Sequence, residues 1–351
     1  MAITKLLIND FLEQANGNLL LDVRSPGEYI QAHLPGAINL PLFSDEERKM
    51  VGTAYKKQSR EKAIKIGLDF FGPKMRQMVE AIENFLEQQP PENKNVYVYC
   101  WRGGMRSGAV CWLLNLYGFS VYQLQGGYKA YRNWVLAQFE NDYHLKILGG
   151  YTGSGKTPVL HQLQQQGEII IDLEGIANHK GSAFGALGQP VQPRQEMFEN
   201  LLANALHATN SVEKNIWIED ESQRIGVLNI PPAFWRTMRQ KPVYFADIPF
   251  AERLQYILKE YGCHPVDQLA DAVLRIQKRL GPLETKNTLQ FLEEKNYTGA
   301  FDILLRYYDK HYGLALYNRT NINELLHRIK CDNVDAKVNS KNVMQCEPVS
   351  L

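Results

Sequence analysis

Two hydrophobic rhythms alternate along the first 140 positions of the chain. Short continuous apolar runs mark buried strands, and segments with apolar residues three or four positions apart mark amphipathic helices. Leu19, Leu20 and Leu21, closing on Asp22 and Val23, read as one strand, and 36–41, with prolines at its margins, as a second. Val79, Ile82, Phe85 and Leu86 fall at helical spacing and predict a helix over 80–88. The run 96–100 predicts a buried strand, 107–117 a helix with an apolar face, and 120–124 a further strand closed by Gly126 and Gly127. Strands alternating with helices imply an α/β unit with a mainly parallel sheet.

The rhythm restarts at 145–149, and short apolar runs follow at 168–172, 215–219 and 242–247, the last three ending on Asp172, Glu219 and Asp247. In open α/β sheets ligands gather at the carboxyl ends of strands, which makes acids there candidates for chemistry. Beyond Ala251 the pattern turns helical and charged to about Lys330, and the last twenty positions are polar without periodicity. The expected organisation is therefore an α/β domain over 1–140, a second α/β domain with C-terminal helices over 141–332, and a disordered tail over 333–351.

A chain of 351 residues suits two cores rather than one. Its 44% hydrophobic and 22% charged content belongs to the globular class. No run approaches bilayer-spanning length. The N-terminus has no signal-peptide core, so a cytoplasmic location is expected. Five scattered cysteines, with no C-x-x-C pair or Cys/His cluster, argue against a disulfide framework or a zinc site. A net charge of +1 neither requires nor excludes a nucleic-acid partner, so RNA binding would rest on a local basic face.

Cys100 ends its strand and opens the loop Trp101, Arg102, Gly103, Gly104, Met105, Arg106, Ser107. A strand-to-helix turn converges backbone N–H groups on one point, which stabilises anions and favours a thiolate. Arg102 and Arg106 add positive charge, and Gly103 and Gly104 let amides approach an oxyanion. A lone cysteine is more often core packing, but packing does not account for this loop, and Cys100 is the candidate nucleophile. The loop, with the runs 22–29 and 33–41, resembles the rhodanese (sulfurtransferase) family. That resemblance implies that Cys100 carries a chalcogen atom and that Asp22, Arg24, Glu28 and His33 are architectural. One departure stands out: five residues separate Cys100 from Arg106, the spacing of cysteine-dependent phosphatases, whose ring encloses a phosphate. A phosphatase thus remains an alternative for this half, against which Tyr99 stands where many such enzymes have histidine. A donor combining chalcogen and phosphate, such as selenophosphate, satisfies both signals.

Residues 150–157 fit G-x-x-x-x-G-K-[ST] at every fixed position, with an apolar strand before and a helix after. Gly150, Gly153, Ser154 and Gly155 are expected to wrap N–H groups around a diphosphate. Lys156 would reach its terminal phosphate, and the Thr157 hydroxyl would ligate magnesium. Candidate acids or metal ligands are Asp172, Glu219, Asp220 and Glu221, with a solvated acidic turn as the bland reading. The loop 179–185 either meets phosphate or RNA or is plain surface. Trp217, Phe234, Trp235 and Tyr244 are assigned to the core.

The two loops together, with 51–56, 126–130, 172–175, 179–185, 219–222 and 307–309, resemble the tRNA 2-selenouridine synthase family over nearly the whole chain. The resemblance implies replacement of sulfur by selenium in wobble 2-thiouridine of tRNA. It implies two steps, S-geranylation from geranyl diphosphate at the phosphate loop and then selenation from selenophosphate at Cys100, with no tightly bound cofactor. Two other classes stay open, an ATP-dependent tRNA sulfurtransferase or kinase with a sulfur carrier, and a non-catalytic tRNA-docking module. Candidate tRNA contacts are Lys56, Lys57, Arg60, Lys129, Arg275, Lys278 and Arg279, each also readable as an ordinary solvated charge.

Overall fold

The computed structural model describes residues 3–87, 95–209 and 214–346. Two compact units divide the chain: one takes in Met1–Gln138 with Glu199–Asn204, the other Phe139–Phe198 with Ala205–Leu351. Among the described residues no helix is long and apolar enough to cross a membrane.

The first unit holds β1 (Thr4–Leu6), β2 (Leu19–Asp22), β3 (Ile38–Asn39), β4 (Asn95–Tyr99) and β5 (Ser120–Leu124). They form one sheet in the order β1-β5-β4-β2-β3, every pair parallel. β2 is buried throughout and β4 almost so, which is why both read as unbroken apolar runs. The core packs Leu21, Val23, Val96, Val98 and Val121 against Val110 and Leu114 of the helix Met105–Tyr117. The helix expected over 80–88 is Met75–Leu86, entered from a 3-10 turn at Gly72–Lys74; Gln88 lies outside the described residues. Asp22 pairs in register with Tyr99, so β2 and β4 deliver their following loops to the same sheet edge.

The second unit is built on β6 (Leu145–Gly149), β7 (Ile169–Ile171), β8 (Ile216–Glu219), the hairpin β9 (Arg224–Ile225) and β10 (Leu228–Asn229), β11 (Val243–Asp247) and β12 (Leu326–Lys330). Its main sheet runs β12-β11-β6-β8-β7, again all parallel. The helices Phe250–Tyr261, Val266–Leu280, Pro282–Glu293 and Tyr297–Tyr317 share a core that includes Leu269, Val273, Phe301 and Leu305.

Two expectations need correction. Residues 326–330 are not the end of the helical region but an edge strand paired with β11. Only Ile329 is buried there, so the charged sequence hides the strand. Nor is the chain without structure from 333: Ala336–Gln345 is a helix, capped by Asp335, which accepts from the N–H groups of Lys337 (2.9 Å) and Val338 (3.0 Å). Its buried positions are Asn339, Ser340 and Val343. With two polar residues in that face, the segment carries no apolar stripe, and Ser340 instead accepts from Gln166 at 2.8 Å.

Candidate active sites

In the first unit β4 ends at Tyr99 and hands Cys100, buried, to the glycine loop. The loop keeps its shape through two glycines at positive φ. A Cβ on Gly103 (φ 61°) would stand 2.4 Å from the Leu124 carbonyl oxygen, and one on Gly127 (φ 61°) 2.3 Å from the Cys100 carbonyl oxygen. The Gly126–Gly127 turn is thus the back wall of the cysteine loop, tied to it by Tyr128 N–H to Cys100 O (2.8 Å) and Lys129 N–H to Trp101 O (3.0 Å).

Cys100 Sγ lies 3.1 Å from Ser107 Oγ. Gln123 Nε2 donates to that same hydroxyl at 2.7 Å, so the single Ser107 proton is left for Gly104 O at 3.3 Å or for a sulfur anion. Burial, then Cys100 itself, pushes the neighbouring Cys111 thiol up to about 12, which disfavours Cys111 as a nucleophile.

Arg106 does not point its charge freely at the loop. It bonds Glu28 at 2.7 Å, and Arg48 meets the same carboxylate at 2.8 Å. Burial works against the Glu28 charge, but these guanidinium groups hold its pKa below the usual carboxylate range. Arg102 is exposed. Beneath the loop, buried Arg24 bonds Asp22 (2.6 Å) and the Ala32 carbonyl (2.6 Å), Tyr99 donates to Asp22 (2.8 Å), and the guanidinium lies 3.8 Å from the Tyr128 ring centre. His33 Nδ1 bonds the Tyr29 carbonyl at 2.9 Å.

In the second unit β6 feeds the phosphate loop. Gly153 (φ 80°) is pressed against the Arg253 carbonyl and Ile257, and Gly155 (φ 68°) against Val334. Arg253 braces the loop from behind, donating to Thr152 O at 3.0 Å while bound by both nitrogens to Asp309 at 2.8 and 2.7 Å. Lys156 Nζ has only the Gly150 carbonyl, at 3.4 Å, and among the described residues no ion-pair partner. Ser154 Oγ is buried and, among the described residues, has no hydrogen-bond partner.

Thr157 Oγ1 stands between Glu174 (2.9 Å) and Glu219 (2.8 Å). Burial, then the neighbouring Glu174 and Asp172, pushes Glu219 up to about 8, and burial with Glu174 raises Glu221 well above its ordinary value. Asp172 caps the helix Leu173–Ala177 and bonds His161 at 2.9 Å. Asp220 is turned elsewhere, onto Tyr312 (2.6 Å) and Arg319, and Tyr312 in turn accepts from Gly150 N–H at 3.2 Å. The geometry therefore separates Asp220 from the other three acids and adds Glu174, which lies in the helix Leu173–Ala177 rather than at the strand end that marked Asp172.

Lys156, Thr157, Asp172, Glu174, Asp220 and Glu221 line a cleft of about 730 Å³, with Glu219 buried behind Thr157. Lys180, Gly181 and Ser182 line it too, so the loop 179–185 is not plain surface. A Cβ on Gly181 would stand 2.7 Å from Glu221 Oε2, which seats that loop on the acids. Trp217, Phe234 and Tyr244 are core, but Trp235 lines the cleft. Of the candidate RNA contacts, Lys56, Lys57, Arg60, Lys129, Arg275 and Lys278 are exposed, and Arg279 alone lines the cleft.

Residues 143–342 match the model of the tRNA 2-selenouridine synthase AAA domain, and residues 7–133 that of the rhodanese-like domain. The chain is 35% identical to a tRNA 2-selenouridine synthase of Nitrosomonas europaea, over 81% of this chain and 75% of the relative. It is 36% identical to one of Chromohalobacter salexigens, over 85% and 88%, and 38% identical to one of Shewanella frigidimarina, over 75% of each.

Proposed function

The chain belongs to the tRNA 2-selenouridine synthase family, and we propose that it exchanges sulfur for selenium in the wobble 2-thiouridine of tRNA in two steps served by its two loops. In the first, the thiocarbonyl sulfur attacks the C1 carbon of geranyl diphosphate. The C–O bond breaks, diphosphate departs into the loop 150–157, and the N3 proton of the thiouridine is lost to solvent. In the second, water cleaves the P–Se bond of selenophosphate at the Cys100 loop with loss of phosphate, and the selenide released adds to C2 and expels the geranylthio group as geranylthiol. Alkylation makes sulfur a far better leaving group than a free thiocarbonyl, which gives the order of the steps.

The observation that carries this reading is that one chain holds two anion cradles with different tools. Cys100 sits beside a hydroxyl proton able to meet a sulfur anion, and Lys156 brings to the phosphate loop an ammonium that bonds the Gly150 carbonyl and, among the described residues, pairs with no carboxylate. In the first cradle the loop amides and Arg102 are suited to the phosphate end of selenophosphate, while the Glu28 bridge holds Arg106 in place as a wall. In the second, Lys156 would neutralise the departing diphosphate. Magnesium fits the acid side. Carboxylates whose proton affinity is raised by burial and mutual repulsion gain by sharing a cation, and Thr157, Glu219 and Glu174 would hold it. Among the described residues no group of three His, Cys, Asp or Glu side chains is arranged to bind a metal alone, so oxygen atoms of the diphosphate would complete the set. Bound there, the ion would supply charge neutralisation for the leaving group.

Mass spectrometry of tRNA nucleosides tests the reading. Incubation with geranyl diphosphate and selenophosphate should yield 2-selenouridine. Cys100→Ser should stop at S-geranyl-2-thiouridine, and Lys156→Ala should lower geranylation at least 100-fold. Normal selenation by Cys100→Ser would remove the cysteine from the mechanism. Nucleotide turnover that requires Lys156 would favour the ATP-dependent class instead.

A further inference from the structure

The cleft of the second unit has a wall that neither the phosphate loop nor the acids use. Trp235 and Arg239 sit on the helix Pro232–Arg239, with the guanidinium 5.3 Å from the indole centre. Arg279, Tyr307 and His311 line the same cleft. Arg279 stands beside Tyr307, and the Tyr307 and His311 rings meet edge to face at 4.5 Å.

This wall has donors in surplus. Trp235 Nε1 is buried and, among the described residues, finds no acceptor. Arg239 reaches only the Ala315 carbonyl, at 3.0 Å, and among the described residues neither Arg239 nor Arg279 has an ion-pair partner. Behind them Arg319 keeps two buried nitrogens without acceptors, although its third meets Asp220. A buried donor without an acceptor costs free energy unless a ligand supplies one. Burial, then Arg319, lowers the Arg239 pKa, and burial with Arg279 and Lys310 lowers that of His311. Asp220 is taken by Arg319 and Tyr312, so among the described residues Arg239 and Arg279 keep no carboxylate within ion-pair distance.

Unpaired guanidinium groups interleaved with aromatic faces are what single-stranded nucleic acid needs, phosphates meeting the cations and bases the rings. A diphosphate alone uses the N–H groups of the phosphate loop and leaves this wall idle. We propose that the wall formed by Trp235, Arg239, Arg279, Tyr307 and His311 receives a single-stranded stretch of the substrate RNA, with phosphates on the two arginines and a base against the indole. The proposal rests on the reading that the substrate is a tRNA and adds where that RNA lies in the second unit.

The test uses the full chain and two probes measured separately. One is an anticodon stem–loop containing 2-thiouridine, titrated at 50 and 200 mM salt; the other is inorganic pyrophosphate. The double variant Arg239→Gln, Arg279→Gln should bind the stem–loop at least ~10-fold more weakly at the lower salt. Its log–log salt slope should be shallower by about 0.7 per lost phosphate contact. Trp235→Ala should lose ~5-fold or more with the slope kept, as expected for a stacking loss, and Trp235→Phe should recover most of it. Pyrophosphate affinity should change less than threefold throughout. Unchanged RNA affinity and slope in the arginine variant would overturn the proposal, as would a fall in pyrophosphate affinity as large as the fall for RNA. If Trp235→Ala does not fold, Arg279→Gln alone, at an exposed position, decides the phosphate half. Wild-type protein that binds no stem–loop would sink the tRNA reading itself; wild type that binds it while the variants match it sinks only the wall.

Discussion

Glu219 is a carboxylic acid that the fold holds largely neutral near pH 7, because burial and the adjacent Glu174 and Asp172 push it up to about 8. The folded chain therefore binds more protons here than the unfolded one between about pH 4.5 and 8. Stability from this group is fully present below that window and is lost as pH rises through it. Glu219→Gln should raise the melting temperature by a few degrees at pH 8.5 and change it little at pH 5; an equal effect at both pH values would refute the shift. Binding of magnesium with pyrophosphate should release protons at pH 7, readable by calorimetry in buffers of differing ionisation enthalpy. Gly103 and Gly127 make a second prediction. Either changed to Ala forces an L-residue into the left-handed region, about 1–2 kcal/mol before any clash, and drives a Cβ into backbone oxygen. Thermal unfolding should report at least that loss, and Cys100-dependent chemistry should fall with it. Gly127 stands outside the cysteine loop, and its role as that loop's back wall depends on a chain reversal that residue pattern does not encode.

Elements were legible where burial is two-sided. β2, β4, β6, β8 and β11 are parallel strands inside their sheets, and their apolar runs announce them. β12 is an edge strand with one buried residue, and the helix Ala336–Gln345 buries two polar residues, so neither leaves a hydrophobic signature. Their importance is nonetheless structural. Val343 belongs to a core cluster with Leu148, Leu160 and Trp217, under the strand and helix that carry the phosphate loop. Val343→Asp should cost several kcal/mol by placing a charge in that core and lower the second unit's unfolding midpoint in urea. A change below about 0.5 kcal/mol would mean that the C-terminal helix is only loosely attached.

The two-step reading makes the chain a pair of catalysts for one substrate, and that too can be tested. Full-length Cys100→Ser retains the phosphate loop, and full-length Lys156→Ala retains the cysteine loop. A mixture of the two should make 2-selenouridine after a lag that shortens with protein concentration, while each alone makes little. If the mixture is as inactive as its parts, geranylated tRNA does not pass between molecules, and the steps need both loops on one chain.

The sequence by itself determined the family, the two α/β halves and the loops at Cys100 and Lys156, because contiguous residues build strand-to-helix turns and their anion chemistry is local. Only the tertiary structure decided which distant side chains face those loops. Glu28 takes Arg106, Asp220 turns to Arg319, Glu174 joins Thr157, and Trp235 leaves the core for the cleft. Those pairings depend on sheet order and helix packing, which bring together residues as far apart as Arg106 and Glu28 or Asp220 and Arg319, and no local pattern records such meetings.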